Sequence, residues 1–136
     1  MRNGLFITGI GFLIIFAFLA YNAQKTVVSY KDAIKIYSPS PDSLIESPIR
    51  IRGEARGYWY FEASFPVRLF DGNGGEIAVM PAQAEGEWMT NDYVPFNLIL
   101  KFEKPETPIG TLVLEKDNPS GLLENADQVT IPVKFR

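Results

Sequence analysis

The side chains best suited to acid–base, nucleophilic or metal chemistry are the ones this sequence lacks. It has no histidine and no cysteine, which removes the usual general base, the histidine-containing triads and nearly all zinc sites. What remains for catalysis is a carboxylate pair, as in glycoside hydrolysis. Glu54, Glu62, Asp71, Glu87 and Asp92 are the candidates on or near predicted strands. No two of them have a spacing that specifies a shared cleft, and sixteen acidic residues make chance pairs common. They read as solvated faces and ion-pair partners, so no catalytic residue is assigned. Asp71-Gly72-Asn73 opens like a calcium loop, but Gly75 stands where the third oxygen ligand of that pattern belongs. The segment reads as a hairpin turn. No metal or cofactor is expected, and no phosphate-binding glycine fingerprint is present.

Aromatic side chains carry the stronger signal. Tyr58-Trp59-Tyr60-Phe61 is an uninterrupted aromatic run, followed by Trp88, Tyr93 and Phe96. Strand alternation cannot bury four consecutive aromatics on one face. If Phe61 points inward, Trp59 shares its face, and Tyr58 and Tyr60 point away. These residues are either covered by a loop or exposed as a contact patch for a protein or glycan. The candidate patch comprises Tyr58, Trp59, Tyr60, Glu62, Trp88 and Tyr93. The competing reading is a second small core beneath the loop Gly86-Glu87-Trp88-Met89-Thr90. Glu62 is expected to pair with Arg56 or to cap a loop amide.

The elements that must position these residues are short strands. Val94, Phe96, Leu98, Leu100 and Phe102 alternate with Pro95, Asn97, Ile99 and Lys101, the period of a half-buried strand. Pro95 lacks a donor, which places that end at a sheet edge or bulge. In residues 49–56, Ile49, Ile51, Gly53 and Ala55 face inward, with Arg50, Arg52, Glu54 and Arg56 outward. Residues 129–136 alternate likewise. Residues 34–37, 61–70, 76–84 and 109–116 complete a set of seven. Asp71-Gly72-Asn73-Gly74-Gly75 and Asp117-Asn118-Pro119-Ser120-Gly121 supply turn chemistry between them. Seven strands with one apolar face each solve their burial by packing two sheets together. The expected fold is all-β, a seven-stranded immunoglobulin-like β-sandwich, with a small closed barrel as the alternative.

One N-terminal transmembrane helix is expected ahead of the sandwich. Gly4 to Tyr21 contains no charged residue, and eighteen helical residues span about 27 Å, close to a bilayer's hydrocarbon core. Arg2 and the amino terminus favour a cytoplasmic N-terminus. Cleavage after Ala20 or Ala23 would put Phe18 or Tyr21 at the third-last position, where a small residue is wanted. The segment therefore reads as a retained signal anchor. The expected organisation is residues 1–23 as cytoplasmic tip and anchor, 24–33 as short linker, and 34–136 as the sandwich. That puts the chain in the cell membrane as a single-pass protein with an extracytoplasmic C-terminal domain.

Aromatic residues make up 13% of the 136-residue chain, a load that implies a packed core rather than disorder. The net charge is −3, and a mildly acidic chain has no overall electrostatic attraction for nucleic acid or for anionic lipid.

Several motifs resemble a known family. Ser38-Pro39 through Ser47-Pro48, Ile51-x-Gly53-x-Ala55-Arg56-Gly57 and Phe61-Glu62-Ala63-Ser64-Phe65-Pro66-Val67 are similar to the immunoglobulin-like domain of bacterial spore germination. So are Gly86-Glu87-Trp88-Met89, Pro95-Phe96 and Lys116-Asp117-Asn118-Pro119-Ser120-Gly121. The likeness runs from about Ile36 to Phe135. It implies an immunoglobulin-like sandwich in the bacterial cell envelope without an assigned catalytic site. The functional expectation is an envelope module that binds a protein or a cell-wall polymer. A carboxylate-based glycan hydrolase and a passive structural spacer are the alternatives.

Overall fold

The computed structural model describes residues 27–136. The anchor expected within residues 1–23 and the first part of the linker lie outside them. No helix among the described residues is long and apolar enough to cross a membrane.

The described chain is all-β, in two sheets. The four-stranded sheet has the order β1 (Val28–Tyr30), β2 (Ile34–Ser38), β4 (Ile49–Arg56), β7 (Tyr93–Leu100). The five-stranded sheet has the order β3 (Ser43–Ile45), β9 (Gln128–Phe135), β8 (Ile109–Glu115), β5 (Ser64–Asp71), β6 (Glu76–Gln83). All pairs are antiparallel except β3 with β9. This is an immunoglobulin-like sandwich, with nine strands where the sequence predicts seven. The seven predicted strands all form, with ends shifted by up to three residues.

The two additional strands are three residues each, too short to show a period. β1 falls inside the expected linker, so the sandwich begins at Val28, not at Ile34. Lys31 and Asp32, both at φ 51°, turn the chain from β1 into β2, and the Ala33 amide donates to the Tyr30 carbonyl at 2.9 Å. β3 joins the five-stranded sheet at its edge, where Ser43–Ile45 runs beside Val133–Phe135.

Alternation builds the core. Ile51, Gly53 and Ala55 of β4 face Phe65, Val67 and Leu69 of β5, with Val94, Phe96, Leu98, Leu112, Leu114 and Ile131 around them. Phe65 and Phe96 meet edge to face across the two sheets, with centroids 5.1 Å apart. Pro95 sits on β7, the outermost strand of its sheet, where a missing amide is tolerated. One sheet reaches across to the other at this corner: Ala84, just past β6, bridges to Phe96, and the Glu85 amide donates to the Pro95 carbonyl at 2.8 Å. The Asp71–Gly75 hairpin is held by the Asp71 carboxylate, whose Oδ1 accepts the Asn73 and Gly75 amides at 2.9 and 2.8 Å. That oxygen therefore serves the turn.

Candidate contact surface at the loop end

Strands β4, β6 and β8 end, and β5, β7 and β9 begin, at one end of the sandwich. Three loops, residues 57–63, 84–92 and 116–127, meet there. The first begins as a 3₁₀ turn, Gly57–Trp59, rather than as the start of a strand. A 3₁₀ turn has a period near three, so alternation no longer decides which aromatics are buried. Trp59 and Tyr60 are both buried, whereas Tyr58 and Phe61 are both exposed. The sequence expectation that Phe61 and Trp59 share an inward face is corrected by this geometry. Trp59 and Tyr60 both pack edge-on against Phe65. The Tyr60 hydroxyl donates to the Val94 carbonyl at 2.7 Å. Burial pushes the Tyr60 phenol far above its ordinary range.

Glu62 and Ala63, at φ 48° and 64°, form a tight turn closed by reciprocal hydrogen bonds between Phe61 and Ser64. Glu62 therefore lies at an exposed turn, and Arg56 pairs with Asp32 instead, Nη2 lying 3.1 and 3.2 Å from its two carboxylate oxygens. The expected Glu62–Arg56 pair is not formed.

The second loop lies directly on the first. The Gly57 amide donates to the Asp92 carbonyl at 3.1 Å, and a Cβ on Gly57 would collide with the Trp88 and Thr90 carbonyls. Trp88 is half-buried against the core, and Met89 beside it is exposed. Gly57, Tyr58, Tyr60, Trp88, Met89, Thr90 and Asn91 line an open pocket of about 290 Å3. The third loop is tied in by the Asp117 amide, which donates to the Trp59 carbonyl at 3.0 Å. It presents Leu122 and Leu123, the latter 91% exposed.

On the shoulder of this end, Tyr93 stands apart from the other patch residues. Its hydroxyl donates to Asp32 at 2.9 Å, and Lys35 Nζ and Arg56 Cζ lie 4.1 and 4.0 Å from its ring centroid, a cation–π arrangement. The Tyr93 hydroxyl and then the Arg56 guanidinium hold the Asp32 carboxyl below the usual carboxylate range. Loss of solvent, then the Asp32 carboxylate, push the Tyr93 phenol up.

Of the six predicted patch residues, the structure groups Tyr58, Trp59, Tyr60 and Trp88 and turns Trp59 and Tyr60 into the core. Glu62 lies at the neighbouring turn, and Tyr93 belongs to the Asp32–Arg56–Lys35 cluster. Sequence reading missed Met89, Leu122 and Leu123. The Leu122-Leu123 pair following a polar turn was the available signal, since it belongs to no alternating run. Of the five carboxylates weighed for catalysis, Glu54 pairs with Lys35 at 3.4 Å, Asp71 holds its turn and Glu62 lies at the exposed turn, whereas Glu87, which caps the Met89 amide at 3.1 Å, and Asp92 line one open pocket of about 300 Å3. Among the described residues, no group of three or more acidic side chains is placed to hold a metal ion.

Two packed sheets, a parallel β3–β9 edge and loops gathered at one end define the immunoglobulin-like class. Residues 33–121 match the family described as the immunoglobulin-like domain of bacterial spore germination, and the chain belongs to that family. β9 lies beyond the matched residues, yet it is the strand that joins β3 to β8. No curated protein and no solved structure matches the chain.

Proposed function

We propose that this protein is a non-catalytic, membrane-anchored module of the bacterial cell envelope, its sandwich outside the cytoplasmic membrane. It binds an envelope protein or a cell-wall polymer through the loop end. One observation carries this reading: Tyr58, Phe61, Met89, Leu122 and Leu123 are all exposed, and all belong to the three loops of that end. Scattered apolar side chains are ordinary on a protein surface, but several gathered on adjoining loops mark a contact site. Loops on a rigid sandwich are also where such folds place recognition. Family membership supports the non-catalytic reading, and the uncharged run from Gly4 to Tyr21 supports the anchor.

The test is site-specific photo-crosslinking of the full chain in its native envelope. Probes at Met89 and Leu123 are expected to trap one discrete envelope component, and a probe at Thr130, on the outer face of the five-stranded sheet, to trap none of it. Replacing Met89, Leu122 and Leu123 by serine together abolishes the adduct formed by a probe at Tyr58 and leaves the melting temperature unchanged. Equal, diffuse labelling from all positions would identify the sandwich as a spacer.

A further inference from the structure

The outer face of the four-stranded sheet differs in charge from the rest of the domain. β2 and β4 direct Lys35, Arg50, Arg52 and Arg56 outward, and β4 adds the single carboxylate Glu54. Every other described residue taken together is acidic in balance, with seven cations against fifteen carboxylates. Lys35 is matched by Glu54 and Arg56 by Asp32. Arg50 and Arg52 carry no ion pair among the described residues; the Arg50 guanidinium donates only to the Asn97 amide oxygen, at 3.3 Å. Tyr37, Tyr93 and Ile99 share this face, and Lys101 follows the end of β7. Arginines among tyrosines and an exposed isoleucine are the mixture that settles at a bilayer–water boundary.

This same sheet is the one the N-terminus enters. β1 is its edge strand. Six residues separate Tyr21, the end of the uncharged run, from Val28, and they reach at most about 21 Å. A tether that short lets the sheet reach the layer, about a Debye length deep, in which the membrane's surface field acts.

We propose that the outer face of the β1–β2–β4–β7 sheet docks onto the anionic phospholipid headgroups of the membrane in which the chain is anchored. This rests on the anchor reading above. The net charge of the whole chain argues against lipid contact, but the field at a bilayer is felt by the nearest face. Arg50 and Arg52 are the contacts with no competing carboxylate. In this orientation the five-stranded sheet faces away from the bilayer and the three apolar loops stay at the side, free for a partner.

The absence of cysteine permits single-site labelling. Full chain carrying Ile99→Cys or Thr130→Cys is labelled with a fluorophore and reconstituted into vesicles containing a headgroup-nitroxide lipid. The vesicles are either phosphatidylcholine alone or phosphatidylcholine with one-third phosphatidylglycerol. Flotation with phosphatidylcholine vesicles reads the anchor by itself, and failure to float would end that reading and this one with it. With phosphatidylglycerol, the label at 99 is expected to be quenched several-fold more than the label at 130. The difference should disappear in phosphatidylcholine and in the Arg50→Glu/Arg52→Glu variant, each lost cation lowering surface partition about fivefold. Chain that floats but shows equal quenching at 99 and 130, or quenching indifferent to the charge reversals, overturns the docking while sparing the anchor. A response of the 99 label to soluble polyphosphate, without any to phosphatidylglycerol, would assign the face to a soluble polyanion and equally overturn it.

Discussion

Tyr60 and Ala63 show how single residues hold the loop end together. The Tyr60 phenol is buried, bonded to the Val94 carbonyl and pushed up in pKa by its burial. Because the folded value lies above the unfolded one near 10, its contribution is complete below pH 10 and declines as pH rises beyond it, by about 1.4 kcal/mol per pH unit for this one proton. Tyr60→Phe should cost about 1 kcal/mol at pH 8, the net worth of the hydrogen bond. That deficit should shrink between pH 10 and 11, because the variant has no proton to lose there. Urea midpoints at the three pH values check this. Ala63 sits at φ 64°, a conformation that disfavours any Cβ by about 1–2 kcal/mol. Ala63→Gly should therefore raise stability by about 0.5–1 kcal/mol after glycine's greater unfolded entropy is deducted. The aromatic composition of this end was legible in the sequence, but the burial of each residue was not. A 3₁₀ turn at Gly57–Trp59 and left-handed residues at 62 and 63 break the period that would have assigned them.

Among the elements, strands of five to eight residues were readable and strands of three were not. β4, β7 and β9 each repeat their apolar side chains often enough to declare a face. β1 and β3 have only one or two such positions, and what places them is pairing with β2 and β9. The same limit applied to the loops, whose contact is written in a glycine rather than in a hydrophobic pattern. Gly57 lets the 84–92 loop close on the 3₁₀ turn, with the Trp88 and Thr90 carbonyls where a Cβ would be. Gly57→Ala should destabilise the domain by about 1–3 kcal/mol, as overpacking does, and displace Trp88 into solvent. Gly53 gives the control. Its missing Cβ leaves room for the Lys35 carbonyl and the Phe96 ring inside the sandwich. Gly53→Ala should cost a similar amount without moving Trp88. Tryptophan emission at concentrations where both variants remain folded separates the two: a red shift in Gly57→Ala alone supports loop-on-turn packing, and the same shift in both contradicts it.

For the molecule as a whole, burial across the two layers is what makes the sheets interdependent. Each has a solvated face and cannot keep its apolar face dry without the other. Phe65 concentrates that dependence: it extends from β5 of one sheet to Phe96 of the other and also meets Trp59 and Tyr60 from the loop end. The corner where Ala84 bridges to Phe96 ties the sheets together by backbone as well. A two-layer fold was legible from alternation, whereas this corner was not, because it depends on where two strands meet rather than on either pattern. If the layers form one cooperative unit, Phe65→Ala should lower stability by about 3–5 kcal/mol and shift a single transition. The measurement follows urea unfolding in a Trp88→Phe background, with near-ultraviolet circular dichroism reporting Trp59 and far-ultraviolet reporting the strands. Coincident curves before and after the Phe65 substitution are expected. A Trp59 signal lost well ahead of the strand signal would mean that the loop end and one sheet come apart first, and that the shared core does not bind the two layers into one unit.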